Sequence, residues 1–292
     1  MAPHGVSAPD VHSSPMRRST FVAIATIAVI ALASAVAPAL GARSPAAIGD
    51  VIGGRLLGPF THDPSGTFHL LGTDRLGRDL FARTLLAGRI SLAVGIAGAL
   101  LAGALGVAVG ALAGWRRGAL DRLLMALTDA LLAIPRLVLL LLCVALWEPS
   151  LRTVVIVLAA TGWMGIARLT RAEVIAARGR PYVDAARALG AQSSRTLWRH
   201  VLPNALGPAL VATAMGVGSA IMLEAGLSFL GLGVQPPAAS WGNMIAAGRD
   251  VVVSAPWVSL VPGLAVVVVT MCATILGDAA RDQIAGRRSL SA

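Results

Sequence analysis

Three charged side chains interrupt stretches of chain that are otherwise apolar: Asp129, Arg136 and Glu224. An ionisable group at the centre of a bilayer costs at least ~2.5 kcal/mol, so it faces a protein interior, an opposite charge or a watery path. Asp129 and Arg136 stand seven residues apart. On one continuous helix they share a face and pair directly or through a neighbour. Glu224 lies near the end of a later apolar stretch, where it can face a pathway, cap a helix or pair with an arginine of another subunit. Two membrane carboxylates could also relay protons in a secondary transporter. The sequence shows no internal repeat and no paired broken helices of the kind that design uses.

Other chemistries find no residues to carry them. The histidines, His4, His12, His62, His69 and His200, all lie outside the apolar stretches. There is no H-E-x-x-H pair, and no membrane histidine to activate a serine, so an intramembrane hydrolase is excluded. All 24 basic residues are arginine. Without lysine or a G-x-x-x-x-G-K-[ST] run the chain cannot form a phosphate loop and cannot itself hydrolyse ATP by that route. No cofactor is expected on it. Cys143 and Cys272 sit in apolar stretches and read as small core residues, not as a disulfide framework or metal site.

The elements that position these residues are membrane spans. Of the 292 residues 56% are hydrophobic and only 13% charged, where a soluble chain carries roughly 25%. Mean hydropathy is +0.77. The net charge of +10 could suggest nucleic acid, but the arginines cluster at the ends of apolar runs, so lipid is expected and nucleic acid is not. Six spans are predicted: Phe21–Leu40, Ile90–Trp115, Leu123–Trp147, Thr153–Ala167, Ala205–Leu230 and Trp257–Leu276. The first, preceded by Arg17 and Arg18, also has the features of a signal peptide. We read it as retained, since any later span can anchor the chain.

The corresponding domain reading has five parts. Residues 1–19 form a disordered cytoplasmic terminus and 20–40 the first helix. Residues 41–89 form an extracytoplasmic loop with an interfacial helix, 90–277 the core with a cytoplasmic loop at 168–204, and 278–292 a cytoplasmic tail. In the second span Gly98, Ala102, Gly106, Gly110 and Gly114 make one strip of small residues, where another helix can approach closely. Pro135 should kink the third span. Arg152 and Arg168 can snorkel from the ends of the short fourth. With the N-terminus inside, fifteen arginines fall on the cytoplasmic side and eight opposite, so both termini are expected in the cytoplasm.

Two loops stand out. "GTDRLGRD" (72–79) has alternating charges and two glycines but no phosphate-loop context, and reads as an interfacial elbow before the second span. "DAARALGAQSSRTLWRHVLP" (184–203) is polar and rich in arginine. Val183, Ala186, Leu189 and Gly190 follow helical spacing, as do Leu197, Val201, Trp198 and Leu202. Gly190 suits a tight turn, and Pro203 should break the second helix before the fifth span. The predicted unit is helix, turn, helix, its small apolar faces requiring either a partner surface or the ends of the spans. A hairpin resting on lipid headgroups fits the pattern equally well.

Asp184-Ala185-Ala186, then Gly190, then Leu202-Pro203, resembles the EAA loop of ABC importer permeases. In that family the loop docks into a groove of the ATPase subunit. The resemblance makes Tyr182, Val183, Asp184, Ala185, Ala186, Leu189, Gly190, Leu197, His200, Leu202 and Pro203 the coupling residues, with Val183, Leu189 and Leu197 as contacts to the partner. Asp184 replaces the usual Glu, and His200 stands where Ile is typical. "LGTDRLGRDLFARTLLAGRISL" (71–92), "RHVLPNALGP" (199–208), "EAGLSFLGLGVQPPAASWG" (224–242) and "LGDAARD" (276–282) look like the DppC/OppC permeases for dipeptides, oligopeptides and nickel.

The resemblance implies an all-α polytopic protein of six transmembrane helices with the type I importer fold. It also implies a bacterial cytoplasmic membrane, and partners: a second, DppB/OppB-like permease, one or two ABC ATPases binding ATP and magnesium, and an extracytoplasmic solute-binding protein. Peptides are the expected cargo, with nickel chelates or another small solute as the alternative. A peptide's amino terminus is then what Glu224 would meet in a pathway.

Overall fold

The structure, a computed structural model, describes residues 18–38 and 52–289. The expected disorder of the N-terminus falls almost wholly outside the described residues. Ten helices follow one another: α1 (Arg18–Val36), α2 (Leu80–Arg116), α3 (Gly118–Leu132), α4 (Arg136–Ala145), α5 (Leu151–Arg178), α6 (Pro181–Ala188), α7 (Ser193–Thr196), α8 (Leu202–Phe229), α9 (Trp241–Gly248) and α10 (Trp257–Ser289). Five membrane-length apolar helices, α1, α2, α5, Ser193–Phe229 and α10, are joined by a sixth span made of the bent pair α3 and α4. The expected all-α, six-span architecture is therefore what is observed. One small exception is a two-stranded antiparallel ribbon, β1 (Thr61–His62) and β2 (Phe68–His69), before α2.

Helix α2 lies along α5 from Gly98 to Gly114, and the small-residue strip is the reason. A Cβ at Gly106 would stand 2.7 Å from the Trp163 carbonyl oxygen, and one at Gly114 would stand 2.9 Å from the Arg171 carbonyl oxygen. At Gly110 a Cβ would meet the Ala167 carbonyl oxygen at 2.3 Å. These obstacles are backbone and cannot swing aside. Gly110→Val should lower the stability of the detergent-solubilised chain by about 3 kcal/mol, the upper range for overpacking. Gly263→Ala, inside α10 where a Cβ meets nothing within 4 Å, should not lower the melting temperature and should raise it slightly.

Four boundaries differ from expectation. Helix α2 starts at Leu80, because Asp79 caps it by accepting a hydrogen bond from the Ala82 N–H at 2.8 Å. Residues 80–89 thus open the second span, and no separate interfacial helix is found among described residues 52–79. The third span does not merely kink. It breaks by 93° at Ala133–Pro135, where proline removes a donor and drives Ile134 out of the helical region. Helix α5 runs past Ala167 to Arg178, so residues 168–178 belong to a span and not to a loop.

The fourth difference is Pro203. It does not end a helix, since Ser193–Phe229 runs as one rod. A π-helical turn, Leu197–Val201, precedes α8, and Pro203 sits in α8's first turn. The wider turn tolerates the missing proline N–H, and next to it Asn204 Nδ2 donates to the His200 carbonyl at 2.7 Å.

Candidate coupling surface and pathway groove

The polar hairpin gathers at one end of the bundle. Arg180 precedes α6 and Pro181 opens it, where a proline's fixed φ is pre-organised for a helix. The helix closes on a Schellman motif. The Ala191 N–H donates to the Ala186 carbonyl, and the Gly190 N–H donates to that of Arg187. This geometry needs a left-handed residue at position 190, and Gly190 has φ +81°. Asp184, with its shortened arm, bonds locally to Arg187 at 3.3 Å.

The hairpin is fixed to its own chain. Val183 is fully buried with Trp115, Val174, Ala177, Val201 and Leu202, and Leu197 packs on the same cluster. Val183 is therefore no partner contact, because α6 turns that face toward the ends of α2 and α5. Leu202 is buried with it. Leu189, in contrast, is 90% exposed and Trp198 is 68% exposed. Tyr182, Asp184, Ala185, Gly190 and Pro203 are also on the surface, while Ala186 and His200 are half-buried. One face of the hairpin seats on the ends of its own spans, and the other is free.

Trp115, in the last turn of α2, is the fastening. Its Nε1 donates to Ser193 Oγ at 3.0 Å, and its carbonyl accepts from Arg178 at 2.7 Å. The Arg178 and Arg187 guanidinium groups lie 5.4 and 5.5 Å from its ring centroid, within cation–π range. Nearby, Arg171 of α5 clasps Asp121 of α3 with both arms, at 2.5 and 2.7 Å. These partners are 50 to 78 residues apart in sequence. The only sequence signal was their place at span ends, which does not specify a partner.

The intramembrane charges are not arranged as expected. Asp129 and Arg136 fall on different helices because the chain breaks between them. Asp129 instead approaches Arg168 at 3.7 Å on the surface. Glu224 is completely buried. It accepts from Ser228 Oγ at 2.6 Å and from Ser91 Oγ at 3.4 Å. Ser91 in turn accepts from the Trp241 N–H, and Ser228 from the Val234 N–H. Glu224 thus ties the loop before α9 to α2 and α8. It has no arginine partner among the described residues and lies outside the groove described next. Asp129 and Glu224 share no partner among the described residues.

Arg136 alone reaches a cavity. A groove of about 320 Å³ opens between α2, α5 and α8, with small residues such as Ala102, Gly162, Gly165 and Gly216 along its walls. Arg136 and Arg281 both line it.

At the far end of the bundle, "GTDRLGRD" winds around Asp74. That carboxylate accepts from the Leu76 and Arg78 N–H groups at 2.8 and 3.0 Å, from Arg78 Nε at 2.7 Å and from Arg83 at 2.9 Å. Arg75 bonds Asp250 at 3.0 Å and holds its carboxyl below the usual carboxylate range. The elbow is therefore built on its own chain's loops at this end of the bundle.

Six spans, a hairpin with one free face at one end and an open groove among the helices define a membrane transport subunit. Residues 106–288 match the family described as binding-protein-dependent transport system inner membrane component, and the chain belongs to that family. A peptide transport system permease protein of Brucella suis biovar 1 is 38% identical over 290 residues, spanning 96% of this chain and 95% of that protein. The oligopeptide transport system permease protein OppC of Bacillus subtilis is 38% identical over 221 residues, 76% of this chain and 72% of that one. The di/tripeptide transport system permease protein DppC of Pseudomonas aeruginosa is 40% identical over 74% of this chain and 71% of its own length.

Among solved structures, the inward-facing MetNI methionine ABC transporter superposes with a TM-score of 0.54. It is 20% identical and covers 67% of this chain and 93% of its own, which supports the fold. The chain is a DppC/OppC-type permease subunit of an ABC importer, a multi-pass inner-membrane protein and not an enzyme.

Proposed function

We propose that this permease forms half of a peptide pathway, powered by ATP that separate ATPase subunits bind with magnesium and hydrolyse. A second, DppB/OppB-like permease completes the pathway, and a solute-binding protein delivers cargo from outside. Dipeptides or oligopeptides are the cargo that the names of the relatives support. Both termini and the α6–α7 hairpin lie in the cytoplasm on the arginine count. The coupling residues are the free face of the hairpin: Tyr182, Asp184, Ala185, Leu189 and Gly190, joined by Trp198.

The observation that carries this reading is the hairpin's two-sidedness. Its inner face is packed on α2 and α5, while Leu189 and Trp198 project with no cover. A large apolar side chain left this exposed beside polar neighbours fits a socket on another protein. When ATP closes a pair of ATPases, the sockets move, and a rigid hairpin fixed at Trp115 transmits that movement to the spans.

The test is reconstitution of the complete transporter in liposomes. Labelled di-, tri- and penta-alanine should accumulate only when ATP is present on the hairpin side, and Leu189→Cys should cross-link to the ATPase. Uptake by this chain alone on a proton gradient would overturn the proposal in favour of a secondary transporter.

A further inference from the structure

Among the described residues Arg136 is a cation without a counter-ion. It is the first residue of α4, directly after the break at Pro135. Its Nε is shielded from solvent and has no hydrogen-bond partner. Its side chain crosses to α5, where its Nη2 would lie 2.9 Å from a Cβ at Gly162. A side chain at that position would crowd the guanidinium and push it aside. Gly165, one turn on, also lines the groove and also lacks a side chain.

A purely structural arginine in an apolar span would be paired, because a charge drawn partly out of water is costly to leave uncompensated. Asp129 was the natural candidate, and the 93° break carries it away to Arg168. The only other charged side chain lining the groove among the described residues is that of Arg281, and it stands 4.0 Å from Asp278. The first turn of α4 has no side-chain cap, so its electropositive end is not neutralised locally. The other wall residues are apolar or small, apart from the Ser219 hydroxyl. A groove of this kind is selective for one thing, a planar anion that accepts two parallel N–H bonds.

We propose that Arg136 binds the terminal carboxylate of the cargo peptide as it passes through the pathway, with Arg281 holding the same sign of potential in the groove. This rests on the peptide reading above. It adds which end of the peptide the permease recognises and by which residue. The charge is suited to transit because the partner is brief: a permanent acid nearby would neutralise the arginine and close the site. The small walls leave backbone and apolar surface for side chains of any type, so the permease reads the common end of all peptides and not their sequence.

The experiment uses the full complex in proteoliposomes with its own binding protein. Uptake of di-, tri- and penta-alanine is compared with that of their C-terminal amides, each at a concentration that saturates the binding protein. The wild-type complex should move the free acids at least tenfold faster than the amides. Arg136→Gln should slow the free acids about tenfold and leave the amides unchanged, so the preference disappears. Arg136→Lys should keep most of the preference. If Arg136→Gln fails to assemble, Gly162→Ala, which displaces the guanidinium without removing it, should reduce the preference in the same direction.

Equal slowing of acids and amides by Arg136→Gln would overturn the proposal and mark the residue as structural, or as a partner for an acid of the second permease. So would an undiminished preference in both Arg136→Gln and Gly162→Ala. Failure of the wild-type complex to move any of the peptides is a different outcome, since it overturns the peptide reading itself.

Discussion

Exchanging Gly190 for valine will leave the permease inserted in the membrane but abolish peptide-stimulated ATP hydrolysis by the assembled transporter. The obstacle is conformational and not spatial. A Cβ at position 190 meets nothing within 4 Å, but the residue sits at φ +81°. For an L-residue the left-handed region costs roughly 1–2 kcal/mol, and a β-branched side chain makes it worse. The chain can escape only by abandoning the bond from the Ala191 N–H to the Ala186 carbonyl. The last turn of α6 then frays and Leu189, which neighbours the glycine, loses its fixed direction. Gly190→Asn should retain a large part of the activity, because asparagine tolerates the same geometry. A valine variant with wild-type stimulation would show that the turn is not part of the lever. Membrane fractionation and ATP turnover in one preparation separate lost coupling from lost protein.

Asp74→Ala will cost the fold about 3–5 kcal/mol, a large share of the stability of a typical protein. One buried carboxylate organises the whole turn from Gly72 to Asp79 and also compensates Arg83, which is 9% exposed. Without Asp74, Arg83 keeps its charge, its burial and no partner. The melting temperature of the detergent-solubilised protein should fall by roughly 10 °C. Asp74→Asn, which still accepts from the backbone, should fall between the two. A melting point within a degree or two of wild type for Asp74→Ala would mean that the arginine finds water, and that the elbow is held from elsewhere.

The spans were readable because hydrocarbon forces every backbone group into a helix, so twenty apolar residues leave few alternatives. The strip from Gly98 to Gly114 likewise announced a close helix neighbour, and α5 fills that place. Pro135 announced a disturbance but not its size, since a proline can bend or break a helix depending on what the next residues pack against. The opposite happened at Pro203, where one extra residue in a π-helical turn absorbed the ring. The pairing of charges was the least legible part. Asp129 and Arg136 looked like partners by spacing, but spacing has meaning only along an unbroken helix. Asp121 found Arg171 instead, fifty residues away, through a tertiary contact that no local pattern encodes. The EAA-like loop was recognised as a unit, but not which of its faces was already taken. Val183 and Leu189 follow the same helical rhythm, and only the position of Trp115 distinguishes the inward one from the outward one.

The uninterrupted rod from Ser193 to Phe229 has a consequence for timing. At 1.5 Å per residue its 37 residues extend about 55 Å, longer than the bilayer is thick. Its first turns carry the projecting Trp198, and its last turns hold the buried Glu224 and Ser228, which clamp the loop ahead of α9. A shaft exposed at one end and gripped at the other carries strain in both directions. On the coupling proposed above, strain that a docked delivery protein imposes on the far end also alters how readily the motor subunits take up nucleotide, with no messenger between them.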